Sequence, residues 1–145
     1  MQKVHRVVLV DTVDPHHNQH DALKNLQELK SLVATYNGID VVSIIQHRSR
    51  PDKATFIGSG KVIELAQIVK KKQIDIVVVN AIVNPSVLFN LTQHLWDDNP
   101  KIQVWDRYDL TLNIFDKHAY TTEAKLQIEI ARMHHMGPRI YGLGE

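Results

Sequence analysis

The chain alternates short runs dense in β-branched residues with longer segments whose apolar positions recur every three or four residues. In RVVLVDTV (Arg6–Val13) no polar position interrupts Val7 to Val10, which reads as a strand buried on both faces. NQHDALKNLQELKSLVATY follows, with Ala22, Leu23, Leu26, Leu29, Leu32 and Val33 at helical spacing. Asn37-Gly38 then supplies the left-handed stop that a helix C-terminus favours. IDVVSIIQHR (Ile39–Arg48) predicts a second strand and SRPDKATFIGSG a loop around Pro51. KVIELAQIVKKK (Lys61–Lys72) predicts a second helix, with Val62, Leu65, Ile68 and Val69 on one side and lysines in the last turn, where the helix dipole favours cations. IDIVVVNA is the third strand, and Asn84-Pro85 places an N-cap before a proline at the first helical position, a strong start for a helix through SVLFNLTQHLW. Asp98-Asn99-Pro100 breaks it; KIQVWD then predicts a fourth strand and RYDLTLNIFDKHAY a short helix.

Strands alternating with helices imply βαβ units. The expected fold class is therefore α/β: a roughly four-stranded parallel sheet with helices on both faces, followed by a long C-terminal helix. That helix is TTEAKLQIEIARMHHM (Thr121–Met136), opened by Thr121 as N-cap and Glu123 in its first turn. Sixteen residues extend roughly 24 Å. Leu126, Ile130 and Met133 form a narrow apolar stripe, with Ile128, Ala131 and His135 on another side. Only nine residues, GPRIYGLGE, follow. The expectation is that the stripe finds its partner in sequence beyond this chain or in another chain.

A length of 145 residues fits about one domain, and 43% apolar with 23% charged residues is ordinary for a globular protein. No window approaches the ~18 continuous apolar residues of a membrane span, and the N-terminus lacks signal-peptide architecture. The expectation is a cytoplasmic protein without a membrane partner. Zero cysteines exclude disulfides and cysteine-based zinc or redox sites. A formal net charge of +1 argues against holding nucleic acid by bulk electrostatics and leaves room for a local basic patch.

TFIGSGK, Thr55 to Lys61, invites comparison with phosphate-binding loops. A Walker A loop needs G-x-x-x-x-G-K-[ST]; here Val62 follows Gly60-Lys61, and Ile57 stands four residues before Lys61. The spacing is wrong and the magnesium ligand is absent. The G-x-G-x-x-G pattern also fails, because no third glycine follows. As a catalytic P-loop the segment is excluded. Gly58, Ser59, Gly60 and Lys61 remain an anion-binding candidate because they open a helix N-terminus. The simpler reading gives Gly58 and Gly60 positive φ in a strand-to-helix connection.

Nine histidines are many for this length. His16 and His20 stand four residues apart, the spacing at which two imidazoles on one helical face share a metal, though a solvent-exposed loop and helix start is the plainer reading. No catalytic residues and no metal centre are expected, with His16 and His20 the weak candidates. His134 and His135 point about 100° apart on a helix and read as a solvated end, with RNA contact as the alternative. Asp106-Arg107 lies at the carboxyl end of the sheet, where open α/β folds bind ligands. A helix cap or structural ion pair is the role expected of it.

Three blocks carry a specific resemblance. QHRSRPDKATFIGSGKVIEL resembles the Q-x-R-x-x-P-x-x-x-T-[YF]-I-G-x-G-K-x-x-E-L signature of the HflX family of translational GTPases through Gln46, Arg48, Pro51, Thr55, Phe56, Ile57, Gly58, Gly60, Lys61, Glu64 and Leu65. VWDRYDLTLNIF is similar to the family's V-x-D-R-x-x-L-I-L-x-I-F, and TTEAKLQIEIARMHHMGPRI to its T-x-E-[GA]-K-L-Q-[VI]-E-[LI]-A … P-R-L segment. Departures include Ala81 and Ile82 where acids are common, Val87 and Phe89 in place of Gln and Arg, and His118 in place of arginine.

The resemblance implies an α/β N-terminal subdomain (1–118) and the first helix, with the start of the loop, of a helical hairpin (119–145). The second helix and the GTPase domain would lie outside this sequence. It implies no cofactor in this chain, GTP and magnesium in the missing GTPase domain, and an intact parent that is a GTPase able to split or rescue stalled ribosomes. Its partners would be the large ribosomal subunit with its RNA, and its own GTPase domain. Lys125, Arg132, Arg139, Gly142 and Gly144 are the RNA-facing candidates carried over from the family. From Lys117 onward four Lys/Arg face three acids, a mildly basic arm. Two rival readings stay open: a stand-alone nucleotide-binding protein using the Gly58–Lys61 loop, and an adaptor that dimerises through the Thr121–Met136 stripe.

Overall fold

A computed structural model describes residues 4–136. In chain order the elements are β1 (His5–Val13), α1 (Gln19–Thr35), β2 (Gly38–His47), α2 (Ser59–Lys72), β3 (Ile76–Val79), α3 (Pro85–Leu95), β4 (Gln103–Trp105), α4 (Arg107–Lys117) and α5 (Thr122–Met136). The strands form one parallel sheet in the order β2-β1-β3-β4. The α/β architecture read from the sequence is the one observed.

The two-residue period of a strand explains the two-sided core. Val7 and Leu9 of β1, with Ile76 and Val78 of β3, meet Leu26, Leu29 and Val33 of α1 and Leu110 and Ile114 of α4 on one face. Val8, Val10, Val77 and Val79 point the other way, into Val62, Leu65 and Val69 of α2 and Leu91 and Leu95 of α3. The chain leaves β1 in one direction to β2, then reverses to β3 and β4. Crossovers of a single hand must then place α2 and α3 opposite α1. Truncating a fully buried leucine such as Leu29 costs about 2–5 kcal/mol in cores of this kind.

The helix boundaries follow their caps. Asn18 accepts the His20 N–H at 2.9 Å, and Asn84 accepts the Ser86 N–H at 2.9 Å ahead of Pro85. Asn37 alone takes the left-handed conformation after α1, with φ 76°. Gly38 begins β2 instead, and it is glycine for lack of room: a Cβ there would lie 2.9 Å from Val33 Cγ1 and 2.9 Å from Val7 Cγ2. The third and fourth strands are shorter than their apolar runs, because β4 pairs with β3 only from Ile76 to Val78. Ile74 is fully buried, yet its N–H bonds to Val69 O at 3.1 Å as part of the exit from α2.

α5 lies outside this three-layer arrangement and packs on α4. Thr121 caps it as the sequence predicts, accepting the Ala124 N–H at 3.1 Å.

Candidate nucleic-acid interface

The loop before α2 is tightly organised. Asp52 and Phe56 exchange backbone hydrogen bonds of 3.0 and 2.9 Å. Asp52 Oδ1 also accepts the N–H groups of Ala54 (2.8 Å) and Thr55 (3.0 Å). Those backbone donors hold its carboxyl below the usual carboxylate range. Thr55 Oγ1 donates to Ile57 O at 2.7 Å, and Asn90 Nδ2 ties Ala54 O to α3 at 2.9 Å. The positive φ belongs to Phe56, at 66°, and not to a glycine; Gly58 sits at −65° as N-cap of α2, and Gly60 is already helical. The expectation that both glycines supply positive φ is thus corrected. A buried phenyl ring holds the strained position, because burying Phe56 and Ile57 outweighs the local cost of φ > 0.

Gly58 is small for a different reason. Its N–H donates to Gln46 Oε1 at 2.8 Å, and a Cβ would approach Arg48 Nη1 and Gln46 Nε2 to 3.2 Å. Ser59 and Gly60 are exposed, and nothing lies within 4 Å of a Cβ built on Gly60. The Lys61 Nζ turns away along the helix to Glu64 Oε2, 3.0 Å distant. This loop therefore presents the backbone N–H groups of Ser59 and Gly60 with Lys61 turned away, while the Arg48 guanidinium lies beside Gly58.

The two sides of α5 are occupied differently. At 100° per residue, Ile128, Arg132 and His135 lie on the face roughly opposite Leu126, Ile130 and Met133. The first face is seated: Ile128 is buried, and Arg132 Nη2 donates to Asn113 Oδ1 at 3.0 Å and lies 3.5 Å from Asp116 Oδ2. Arg132 Nη1 also pairs with Glu129 Oε1 at 2.8 Å. The second face is free, with Leu126 58%, Ile130 54% and Met133 56% exposed. Of the RNA-facing candidates, Lys125 is exposed, whereas Arg132 is a strut between α5 and α4. Arg139, Gly142 and Gly144 lie outside the described residues. Between α3, the free edge of β4, α4 and α5 opens a cavity of about 470 Å³ bordered by Leu88, Phe89, Trp105, Arg132 and His135.

His135 is not part of a solvated helix end. Its Nε2 lies 2.9 Å from Asp106 Oδ2 and 3.7 Å from Asp109 Oδ1, and its ring centroid is 4.5 Å from that of Tyr108. Asp106 and Asp109 form a reciprocal capping box on α4: Asp106 Oδ1 accepts the Asp109 N–H (2.9 Å), and Asp109 Oδ2 accepts the Asp106 N–H (3.1 Å). Burial, then the Asp106 charge, push the Asp109 carboxyl up to about 6. The cap expected for Asp106 is present, and Arg107 ties α4 to α1 through Asn25 Oδ1 (2.6 Å) and Glu28 Oε2 (3.7 Å). Sequence spacing could not bring His135 to this cap, since they are 29 positions apart. The capping pattern D-x-x-D before LTLNIF was the available signal for the cap alone. His16 and His20 are both exposed. Among the described residues, the one group of three His or acidic side chains close enough to share an ion is Asp106, Asp109 and His135.

A doubly flanked parallel sheet of four strands with an outlying helical arm defines an α/β domain that presents a helix, and comparison with known proteins gives it a family. The family described as GTP-binding GTPase N-terminal matches residues 23–116. The chain belongs to that family, as an N-terminal domain of the HflX type. It is similar to the GTPase HflX of Methanocaldococcus jannaschii, 39% identical over 117 residues, covering 80% of this chain and 27% of that protein. It is also similar to the GTPase HflX of Alkalihalophilus pseudofirmus (35% identical, 83% and 27% covered) and of Escherichia coli (32%, 84% and 28%). The chain thus spans little more than a quarter of the curated relatives it matches. The fold is shared with a GTP-binding protein from Sulfolobus solfataricus solved in complex with GDP, at a TM-score of 0.71 and 23% identity, covering 94% of this chain and 39% of that one. Among the described residues no helix is long and apolar enough to cross a membrane.

Proposed function

We propose that this chain is the ribosome-docking N-terminal region of an HflX-type GTPase, with GTP and magnesium chemistry carried by another part of the parent. On this reading residues 1–118 would be the scaffold and 119–145 the first helix and the start of the loop of a helical hairpin, with the large ribosomal subunit and its RNA as partner. The observation that carries this reading is the arm itself. A helix seated by Ile128, Arg132 and His135 carries a second, opposite stripe of Leu126, Ile130 and Met133 that is more than half exposed. Apolar residues at i, i+4 and i+7 form the seam that a second helix covers. Lys125 and His134 stand on exposed positions of the same arm and supply the cationic and stacking groups that RNA accepts. The Ser59-Gly60 N–H groups add a further place for a phosphate. Escape from stalling is the role this assigns to the parent, in the cytoplasm and away from membranes.

The test is binding of the parent protein to purified large subunits, compared with Lys125→Glu. The charge reversal is expected to weaken binding and flatten its salt dependence by about one phosphate contact. Calorimetry of this chain with ATP and GTP addresses the nucleotide-binding rival: micromolar binding lost in Lys61→Ala would replace the docking reading. A dimer stable to dilution in light scattering would replace it with the adaptor.

A further inference from the structure

Asp106, Asp109 and His135 come from two helices and meet at one buried point. Asp106 is fully buried, and the His135 and Asp109 side chains are only 11% and 19% exposed. The capping box uses one oxygen of each carboxylate, Asp106 Oδ1 and Asp109 Oδ2. That leaves Asp106 Oδ2 and Asp109 Oδ1 facing the imidazole Nε2, at 2.9 and 3.7 Å, with all three atoms within 4.8 Å of one another. Asp106 Oδ2 is oriented by the Val83 N–H at 3.2 Å. Among the described residues no Lys or Arg pairs with either carboxylate; His135 is their one basic partner. With both carboxylates ionised, the cluster is net negative even when the ring is protonated. Buried charge of that kind is costly without a counter-ion.

We infer that Asp106, Asp109 and His135 form a binding site for a divalent ion of the zinc class, which clamps α5 to the first turn of α4. Zinc bonds to nitrogen and oxygen of about 2.0–2.2 Å in tetrahedral geometry place neighbouring ligand atoms roughly 3–3.6 Å apart. The two separations from His135 Nε2 bracket that range, and the two carboxylate oxygens lie within 4.8 Å of each other, so a bound ion would draw the three ligands together. One imidazole with two carboxylates selects a first-row ion over magnesium, which prefers an all-oxygen octahedron and keeps its waters. Three protein ligands leave a fourth position, and the adjoining cavity lined by Asp109, Asn113 and His135 gives it an approach from solvent. The site stands on side-chain geometry alone and is independent of what the arm contacts.

The test is isothermal titration of zinc into the chelator-stripped chain, with magnesium in parallel. Exposed histidines supply background, so the same titration is run on a His16→Ala/His20→Ala variant. One equivalent of zinc is expected, unaffected by that double substitution, with no magnesium binding. Asp109→Asn, which keeps an acceptor for the Asp106 N–H, and His135→Gln should each weaken zinc at least about 100-fold, since loss of a group merely supporting a ligand costs about 10–100-fold. Circular dichroism checks that both variants fold. If either does not, the His135 ring resonances of the unaltered chain decide, shifting at one equivalent of zinc. No zinc binding, binding that survives both substitutions, binding lost with His16 and His20, or unmoved His135 resonances would overturn the site.

Discussion

The imidazole of His135, in the last turn of α5, lies 2.9 Å from the carboxylate of Asp106, which caps α4 from 29 residues earlier. One carboxylate thereby fixes both the start of a helix in the α/β layer and the direction of the helix that leaves it. Arg132, one turn back, repeats the tie through Asn113 and Asp116. The arm is positioned by polar contacts of defined direction, with Ile128 as its single fully seated apolar residue.

The two sides of α5 should answer differently to charge. Ile128→Asp buries a carboxylate against α4 and is expected to loosen or unfold the arm, at a cost of a few kcal/mol by the usual penalty for burying charge. Ile130→Asp on the exposed stripe should change the stability of this chain by less than about 0.5 kcal/mol. Urea denaturation followed by circular dichroism measures both. Equal effects would mean the stripe is not free.

Glycine positions separate in the same way. Gly38→Ala forces a Cβ to 2.9 Å from Val7 and Val33 and should cost about 1–3 kcal/mol by overpacking. Gly60→Ala places a methyl in open space on a helix and should stabilise by about 0.5–1 kcal/mol. Thermal unfolding of the two variants checks the opposite signs.

Asp52 is the anchor of the loop before α2. Asp52→Ala removes the acceptor for Ala54 and Thr55 N–H, while Phe56 must still hold φ 66°. Amide hydrogen exchange at Thr55 and Phe56 should accelerate while exchange in β1 and β3 is unchanged. Acceleration across the whole sheet would contradict a local role.

Asp11 sets a pH dependence. Burial pushes its carboxyl above the ordinary value of 3.8, against the hydrogen bond from Asn80 Nδ2 at 3.0 Å, one from the Thr12 backbone, and the Arg107 charge. The folded chain therefore binds this proton more tightly than the unfolded one. The associated stability is fully present below the ordinary carboxylate pKa and is lost as pH rises through the raised value. Asp11→Asn should gain stability relative to the unaltered chain as pH rises from about 4 to 7. Because Asp109 shifts in the same direction, the difference between the two proteins carries the test. Calorimetric melting across that range, in the presence of chelator, measures it. A constant difference would contradict the assignment.

How much of this was legible in the sequence differs by level. Continuous apolar runs such as Val7–Val10 and Val77–Val79 announce strands buried on both faces, because local composition reports two-sided burial directly. Caps at Asn84 and Thr121 are readable for the same reason: donor and acceptor lie within three residues. The exposed stripe on α5 was legible too, since helical periodicity places Leu126, Ile130 and Met133 together. What sequence could not give was the reason behind TFIGSGK. Its two glycines pointed to positive φ, whereas the fold assigns that strain to Phe56 and lets the buried ring offset it. Nor could spacing reveal that His135 turns onto Asp106, because only the packing of α5 on α4 brings the two together.

The central claim is that this domain docks its parent on the large ribosomal subunit. Co-sedimentation of the parent protein with purified large subunits, with and without residues 1–145, tests it most directly. The account predicts that the intact parent pellets with the subunits and that the deleted form stays in the supernatant; equal pelleting of the two forms would contradict it.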